Sequence, residues 1–169
     1  MNHIEFSKIT QIIGCAYTYQ GSLGVRRKLT TSLKERGIHH SSQERDFSYF
    51  YKGNPQTVVA DGQELRLRDN ETAHWPEPEL AIMLGEKHQI VGYFLANDFT
   101  AIGIEAQGRT KQFDGTYFGK VWNGSCSLGP KIKSHQTQVD NLEIGLRIER
   151  DGEVIYDNSY NTSSRKRKF

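Results

Sequence analysis

Hydrophobic and polar positions alternate most legibly in the middle of the chain. Two apolar runs, 80–84 and 90–96, flank Gly85-Glu86-Lys87-His88. Runs this short, bounded by turn residues, predict two buried strands closed as a hairpin. Pro76 and Pro78 exclude a helix leading into Leu80, because proline lacks the backbone donor and biases the residue before it toward extended structure.

The rest of the pattern is weaker. Residues 4–16 end in Ile12-Ile13-Gly14-Cys15-Ala16, a short strand, and 18–22 read as a turn or a helix entry. Over 23–37, Val25, Leu29 and Leu33 recur every fourth residue and Gly37 closes the run, which predicts an amphipathic helix. Arg26, Arg27 and Lys28 form its solvated face. Residues 39–42 are a polar connector, and the aromatic stretch 47–52 is a strand that delivers Lys52 to a turn at Gly53-Asn54-Pro55. Segments 57–60 and 64–67 flank Asp61-Gly62, predicting a second hairpin. Residues 101–119 are glycine-rich and polar without clear periodicity, the pattern of a lid or substrate loop. A strand over 142–149, a turn at Asp151-Gly152 and a strand over 154–156 follow. The sum is a mainly β, minor α (α+β) chain without internal repeats.

The central hairpin carries the candidate chemistry. Glu77 and Glu79 are two apart, so in an extended chain their carboxylates share a side. A turn centred between Glu86 and Lys87 places Glu79 opposite Phe94, Glu77 opposite Ala96 and Trp75 opposite Asp98. Asp98 then joins the two glutamates at one end of one sheet face. Carboxylates so gathered repel unless solvated, protonated or bridged by a cation, and an oxygen-only cluster suits magnesium, calcium or manganese. The plainer reading is two solvated glutamates at a strand start and an Asn97-Asp98 turn. Lys52, at a strand end beside a glycine, is a candidate contact for a substrate anion, or simply a solvated lysine.

Composition narrows the classes without choosing among them. At 169 residues the chain is one domain with room for a core, and a net charge of +2 is too small to argue for nucleic acid. The basic run at 165–169 reads as a frayed terminus rather than a nucleic-acid tag. Cys15 and Cys126 have neither metal nor redox spacing and read as buried free thiols of a reducing compartment. With no secretory signal and no apolar run long enough to cross a bilayer, the expectation is a cytoplasmic protein without membrane partners.

Four ordered features resemble the fumarylacetoacetate hydrolase family. They are Glu77-Pro78-Glu79-Leu80, the segment from Gly92-Tyr93 to Ala96-Asn97-Asp98-Phe99-Thr100, Lys120, and Ser125-Cys126-Ser127-Leu128-Gly129-Pro130. Thr18-Tyr19 and Phe50-Tyr51-Lys52-Gly53 look like the branch that handles 2-keto-3-deoxy sugar acids. The likeness runs from about Ile12 to Tyr156. It implies a mixed β-roll, incomplete at the C-terminus, with residues 1–160 as a partial catalytic domain and 161–169 as a basic tail. It also implies that Glu77, Glu79 and Asp98 bind a divalent ion, Mg2+ or alternatively Mn2+ or Ca2+. Lys120 becomes the catalytic residue, with Thr100 and Lys52 as weaker candidates for substrate contact, in a protein that is commonly a homodimer. The implied activity is that of a hydrolase or lyase acting on a 2-oxo or diketo acid through a metal-stabilised enolate. The sequence departs from its family at Ile102, where many relatives carry arginine, and at Ser48, where the sugar-acid branch often has a glutamate. Those departures favour a second reading, a truncated and catalytically inactive member that at most binds metal or ligand.

Overall fold

The computed structural model describes residues 9–16, 34–35, 48–69, 73–111, 114–132 and 139–164. The helix expected over 23–37 lies outside them except for Lys34 and Glu35, which are helical, and so do 18–22, 39–42 and the basic tail from 165. Among the described residues the fold is mainly β with minor α, and no helix is long and apolar enough to cross a membrane.

A four-stranded sheet in the order β3-β8-β6-β5 forms the centre. Its strands are β3 (Val58–Ala60), β5 (Pro78–Leu84), β6 (Ile90–Asp98) and β8 (Cys126–Lys131), with β3 parallel to β8 and the other pairs antiparallel. Strand β6 lies between β5 and β8, and alternate residues Gly92, Phe94 and Asp98 on it are buried. That alternation is the period of a strand with one face against a core.

The hairpin turn centres where expected, with the His88 N–H donating to the Gly85 carbonyl at 2.9 Å. The register beyond it differs from the expected one. His88 takes a positive φ of 58°, and the pairing shifts again between Met83 and Leu84. These two single-residue irregularities add to a displacement of two. Glu79 therefore faces Ala96 rather than Phe94, and Trp75 faces Thr100 rather than Asp98. The Asp98 N–H donates to the Glu77 carbonyl at 2.9 Å. A slip of one residue would turn every side chain to the other face, whereas a slip of two restores it. The carboxylates stay together for that reason.

Two other expectations are corrected. Residues 57–60 and 64–67 do not form a hairpin: the chain turns at Asp61-Gly62, but β3 pairs with β8 and 64–67 is not a strand. Residues 101–119 do not form an irregular loop either. They hold α1 (Ile102–Lys111) and α2 (Gly115–Lys120), the latter capped where Asp114 Oδ1 accepts from the Tyr117 N–H at 2.9 Å. The glycines that suggested a loop are packing residues. A Cβ on Gly119 would lie 2.8 Å from Glu105 Cβ, and one on Gly115 would lie 2.3 Å from the Glu105 carbonyl oxygen, so the helices meet backbone to backbone.

Smaller elements frame this centre. β1 (Ile12–Ala16) and β2 (Ser48–Gly53) form an antiparallel ribbon, and β4 (His74–Trp75) pairs with β7 (Thr100–Ala101). Ile102, at the start of α1, packs in the core with Ala73 and against Trp75. β9 (Glu143–Arg150) and β10 (Glu153–Asn161) form a hairpin longer than the sequence suggested, through a turn with Asp151 and Gly152 both at positive φ. Thr162 closes its base, its N–H donating to the Leu142 carbonyl and its Oγ accepting from the Leu142 N–H, each at 2.8 Å.

Candidate metal and oxo-acid site

Glu77, Glu79 and Asp98 each offer a carboxylate oxygen, and these atoms lie within 4.8 Å of one another. Glu77 comes from the bend before β5, Glu79 from β5 and Asp98 from the last position of β6. Asn97 fixes the approach to the cluster, its Oδ1 accepting from the Glu77 N–H at 2.9 Å.

Two buried lysines face the cluster. Lys120, the last residue of α2, places Nζ 2.8 Å from each of Glu77 Oε1, Asp98 Oδ2 and Thr100 Oγ. Thr100 donates its hydroxyl proton to Glu77 Oε1 at 2.8 Å, so it links lysine and glutamate. Lys52 sits 2.6 Å from Asp98 Oδ1. Asp98 therefore has one ammonium beside each oxygen, hydrogen-bonded at Oδ2 and in ion-pair contact at Oδ1. Moving an ammonium out of water costs several kcal/mol, and only close, well-placed carboxylates offset that cost.

Among the described residues three carboxylates face two ammonium groups, and the Glu79 side chain makes no hydrogen bond or ion pair. Burial, with Asp98 and Glu77 nearby, pushes its carboxyl group up to about 8. Burial also works against ionisation of Asp98, but the two lysines outweigh it and hold that group below its usual range. Lys120 feels the same contest: burial disfavours its charge, while Asp98, Glu77 and Glu105 overcome it and raise its pKa. For Lys52 burial prevails and the pKa is lowered. A cluster that is short of positive charge, made only of hard oxygen donors and closed on one side by protein, is able to hold a divalent cation.

An aromatic wall borders these groups. His74 stacks on Phe99 with ring centroids 5.7 Å apart, and Trp122 packs at an angle to both. His74 Nε2 accepts from the Arg68 N–H at 3.1 Å, which places a proton on Nδ1 in the neutral ring. Both cysteines are free, as expected. Burial raises each of them, Cys126 to about 12, so neither supplies a thiolate near neutral pH.

The sequence-named residues Glu77, Glu79, Asp98, Thr100, Lys52 and Lys120 thus converge on one place. Sequence reasoning passed over Phe50, whose ring centroid lies 5.4 Å from Lys120 Nζ, and Trp122, 5.7 Å from Lys52 Nζ. Phe50 was detectable, because it lies two residues before Lys52 and so shares its face of β2. Ile102 is 3% exposed within the core, so its position is filled by packing and offers no anion contact.

Comparison with known proteins gives the family. Residues 23–165 match the family model described as fumarylacetoacetate (FAA) hydrolase C-terminal. The chain is 37% identical over 116 residues to a probable 2-keto-3-deoxyxylonate dehydratase of Haloferax volcanii, a match covering 68% of this chain and 38% of that protein. It is 32% identical over 123 residues to the 2-dehydro-3-deoxy-D-arabinonate dehydratase of Saccharolobus solfataricus, covering 71% and 40%. A solved structure of 2-keto-3-deoxy-D-arabinonate dehydratase complexed with magnesium and 2,5-dioxopentanoate superposes with a TM-score of 0.64 at 28% identity, over 79% of this chain and 46% of that one. The chain thus spans about two-fifths of the length of the curated relatives it matches. Within that span, it belongs to the fumarylacetoacetate hydrolase family.

Proposed function

We propose that this chain carries the metal-binding core of a lyase or hydrolase acting on a 2-oxo acid, with Mg2+ held by Glu77, Glu79 and Asp98. The observation that carries the reading is Glu79, a largely enclosed carboxylate with no ammonium of its own among the described residues, beside two that have one. Mn2+ or Ca2+ would meet the same donors. Once bound, the ion supplies Lewis acidity to a 2-oxo acid carbonyl.

The protein's own residues supply the rest. Removing water or breaking a C–C bond next to a 2-oxo group builds negative charge on the carbonyl oxygen as an enolate forms. Lys120, held protonated by its carboxylate neighbours, already donates to Glu77, Asp98 and Thr100, so it would favour that charge through its positive field from an enclosed position, or donate to it by giving up one of those partners. Thr100 fixes the Lys120 ammonium through its hydroxyl oxygen while donating its own proton to Glu77. Residues His74, Phe99 and Trp122 limit water on one side. The dehydratase names of the relatives support loss of water from a 2-keto-3-deoxy sugar acid; a cytoplasmic homodimer belongs to the same proposal and rests on the family resemblance alone.

The test is turnover of a panel of 2-keto-3-deoxy acids and acylpyruvates with Mg2+, with chelator, and in the Glu77→Gln/Glu79→Gln variant. The reading expects metal-dependent turnover that the double variant loses. Turnover that survives both the chelator and the variant would contradict it. The alternative, a member that binds metal or ligand without catalysis, draws on Ile102 and Ser48, and expects metal binding with no turnover on any member of the panel.

A further inference from the structure

The Lys52 ammonium donates to two backbone carbonyls and lies in ion-pair contact with a carboxylate oxygen. Its Nζ lies 2.6 Å from Asp98 Oδ1, 2.6 Å from the Lys120 carbonyl oxygen and 3.2 Å from the Phe99 carbonyl oxygen. The residue is 2% exposed, and the Trp122 ring faces the same ammonium. A substrate carboxylate reaching Lys52 would have to displace one of three protein acceptors.

Each acceptor has a position in the site. One belongs to a metal-ligating carboxylate, one to the residue after it, and the third is the carbonyl of Lys120 at the C-terminal end of α2. That end of a helix carries unsatisfied carbonyls and partial negative charge, which suits a cation. Two residues earlier, on the same face of β2, Phe50 sets its ring 5.4 Å from Lys120 Nζ. β2 therefore holds Lys120 at both ends, by its carbonyl through Lys52 and beside its ammonium through Phe50. Local backbone geometry is built to allow this. A Cβ on Gly14, the β1 residue paired with Phe50, would fall 2.1 Å from the Phe50 ring. Gly53, directly after Lys52, takes φ 153°, and a Cβ there would fall 2.1 Å from Thr57 Oγ.

We propose that Lys52 is a positioning residue rather than a substrate contact, and that β2, through Lys52 and Phe50, sets the place of Lys120 against Asp98. This rests on the oxo-acid reading for its consequence in catalysis, but its geometry is testable without turnover. Amine-specific acylation of the full chain, followed by peptide mass mapping, should find Lys52 and Lys120 protected relative to the exposed Lys87. Lys52→Met keeps chain length and removes the ammonium, and it should raise the labelling rate of Lys120 by about tenfold as that residue opens locally. The reciprocal Lys120→Met should leave Lys52 protected, because two of the three Lys52 acceptors are backbone carbonyls. Should Lys52→Met fail to fold, Gly14→Ala displaces the Phe50 ring without touching a charge and should raise Lys120 labelling as well. Unchanged Lys120 labelling in the folded variant would overturn the proposal.

Kinetics separate the roles a second way. Positioning predicts that Lys52→Met lowers kcat with KM within about threefold, whereas a lost substrate contact raises KM by about tenfold or more. Absence of turnover in the wild type would remove the oxo-acid reading and leave the labelling result standing.

Discussion

Hairpins β5–β6 and β9–β10 share an antiparallel ladder, one register irregularity within it and a turn using positive-φ residues, yet the open end of the first and the closed end of the second distribute polar and apolar groups in opposite ways. The open end of the first gathers Glu77, Glu79 and Asp98 against two buried lysines. The closed end of the second leaves Val154, Ile155 and Tyr156 between 43% and 50% exposed. The largest fully buried side chains among the described residues are Lys52, Thr100, Thr162 and Ser125. Burial here follows enclosure by neighbouring elements rather than hydropathy. Burying charge is costly, and each ammonium is stabilised in part by carboxylates that need it in turn. The exposed apolar tip carries no such interdependence, and this is where substitution should separate the two regions.

The largest effect belongs to Lys120. Lys120→Met would remove the Lys120 ammonium from Glu77 and leave Asp98 with one of its two, a loss of charge compensation worth about 3 kcal/mol of stability in urea melts of metal-free protein. Added Mg2+ should recover part of that loss. A change under about 1 kcal/mol would mean that solvent already screens the cluster.

Next comes pH. Burial, with Asp98 and Glu77 nearby, raises the Glu79 carboxyl group in the folded state to about 8 from its ordinary value of 4.5. The folded state therefore holds a proton that the unfolded state has released, and its contribution is present below about pH 4.5 and lost as pH rises toward 8. Metal-free protein should lose stability across that window, and Glu79→Gln should flatten the slope. A wild-type profile rising from pH 5 to 8 would show that Glu79 ionises without penalty.

Ile155→Thr stands at the small end of the scale. With half its surface already in water, the change should move stability by less than about 0.5 kcal/mol. A loss above about 1.5 kcal/mol would reveal that the tip is packed against something and would end the contrast between the hairpins.

Much of the site was legible because it depends on parity. Glu77, Glu79 and Asp98 share a face in any register that differs by an even number of residues, so the grouping tolerated an error of two that the sequence could not detect. His88 at positive φ and the shift between Met83 and Leu84 come from local backbone conformation, which no hydrophobic pattern records. Helices α1 and α2 were missed for a related reason. Gly115 and Gly119 read as loop formers, whereas their role is to let one backbone approach another at Glu105, a fact visible only once both helices are in place. The Asp61-Gly62 turn was recognised, but β3 found its partner in β8, well over sixty residues further along the chain. Lys52 was named for its chemistry, and the acceptors that occupy it come from residues 98, 99 and 120, beyond the reach of local sequence.

The central claim is that Glu77, Glu79 and Asp98 hold a divalent ion on which a 2-oxo acid can act as a ligand. The most direct measurement is a thermal melt of the chain with Mg2+ or Mn2+, with and without oxalate, beside Glu77→Gln/Glu79→Gln. Binding to the folded state alone stabilises by about 2.7 kcal/mol at a hundredfold excess over the dissociation constant. The account predicts a metal-dependent rise in Tm that oxalate enlarges and the double variant abolishes. A cooperative melt that responds to neither metal nor oxalate would contradict it.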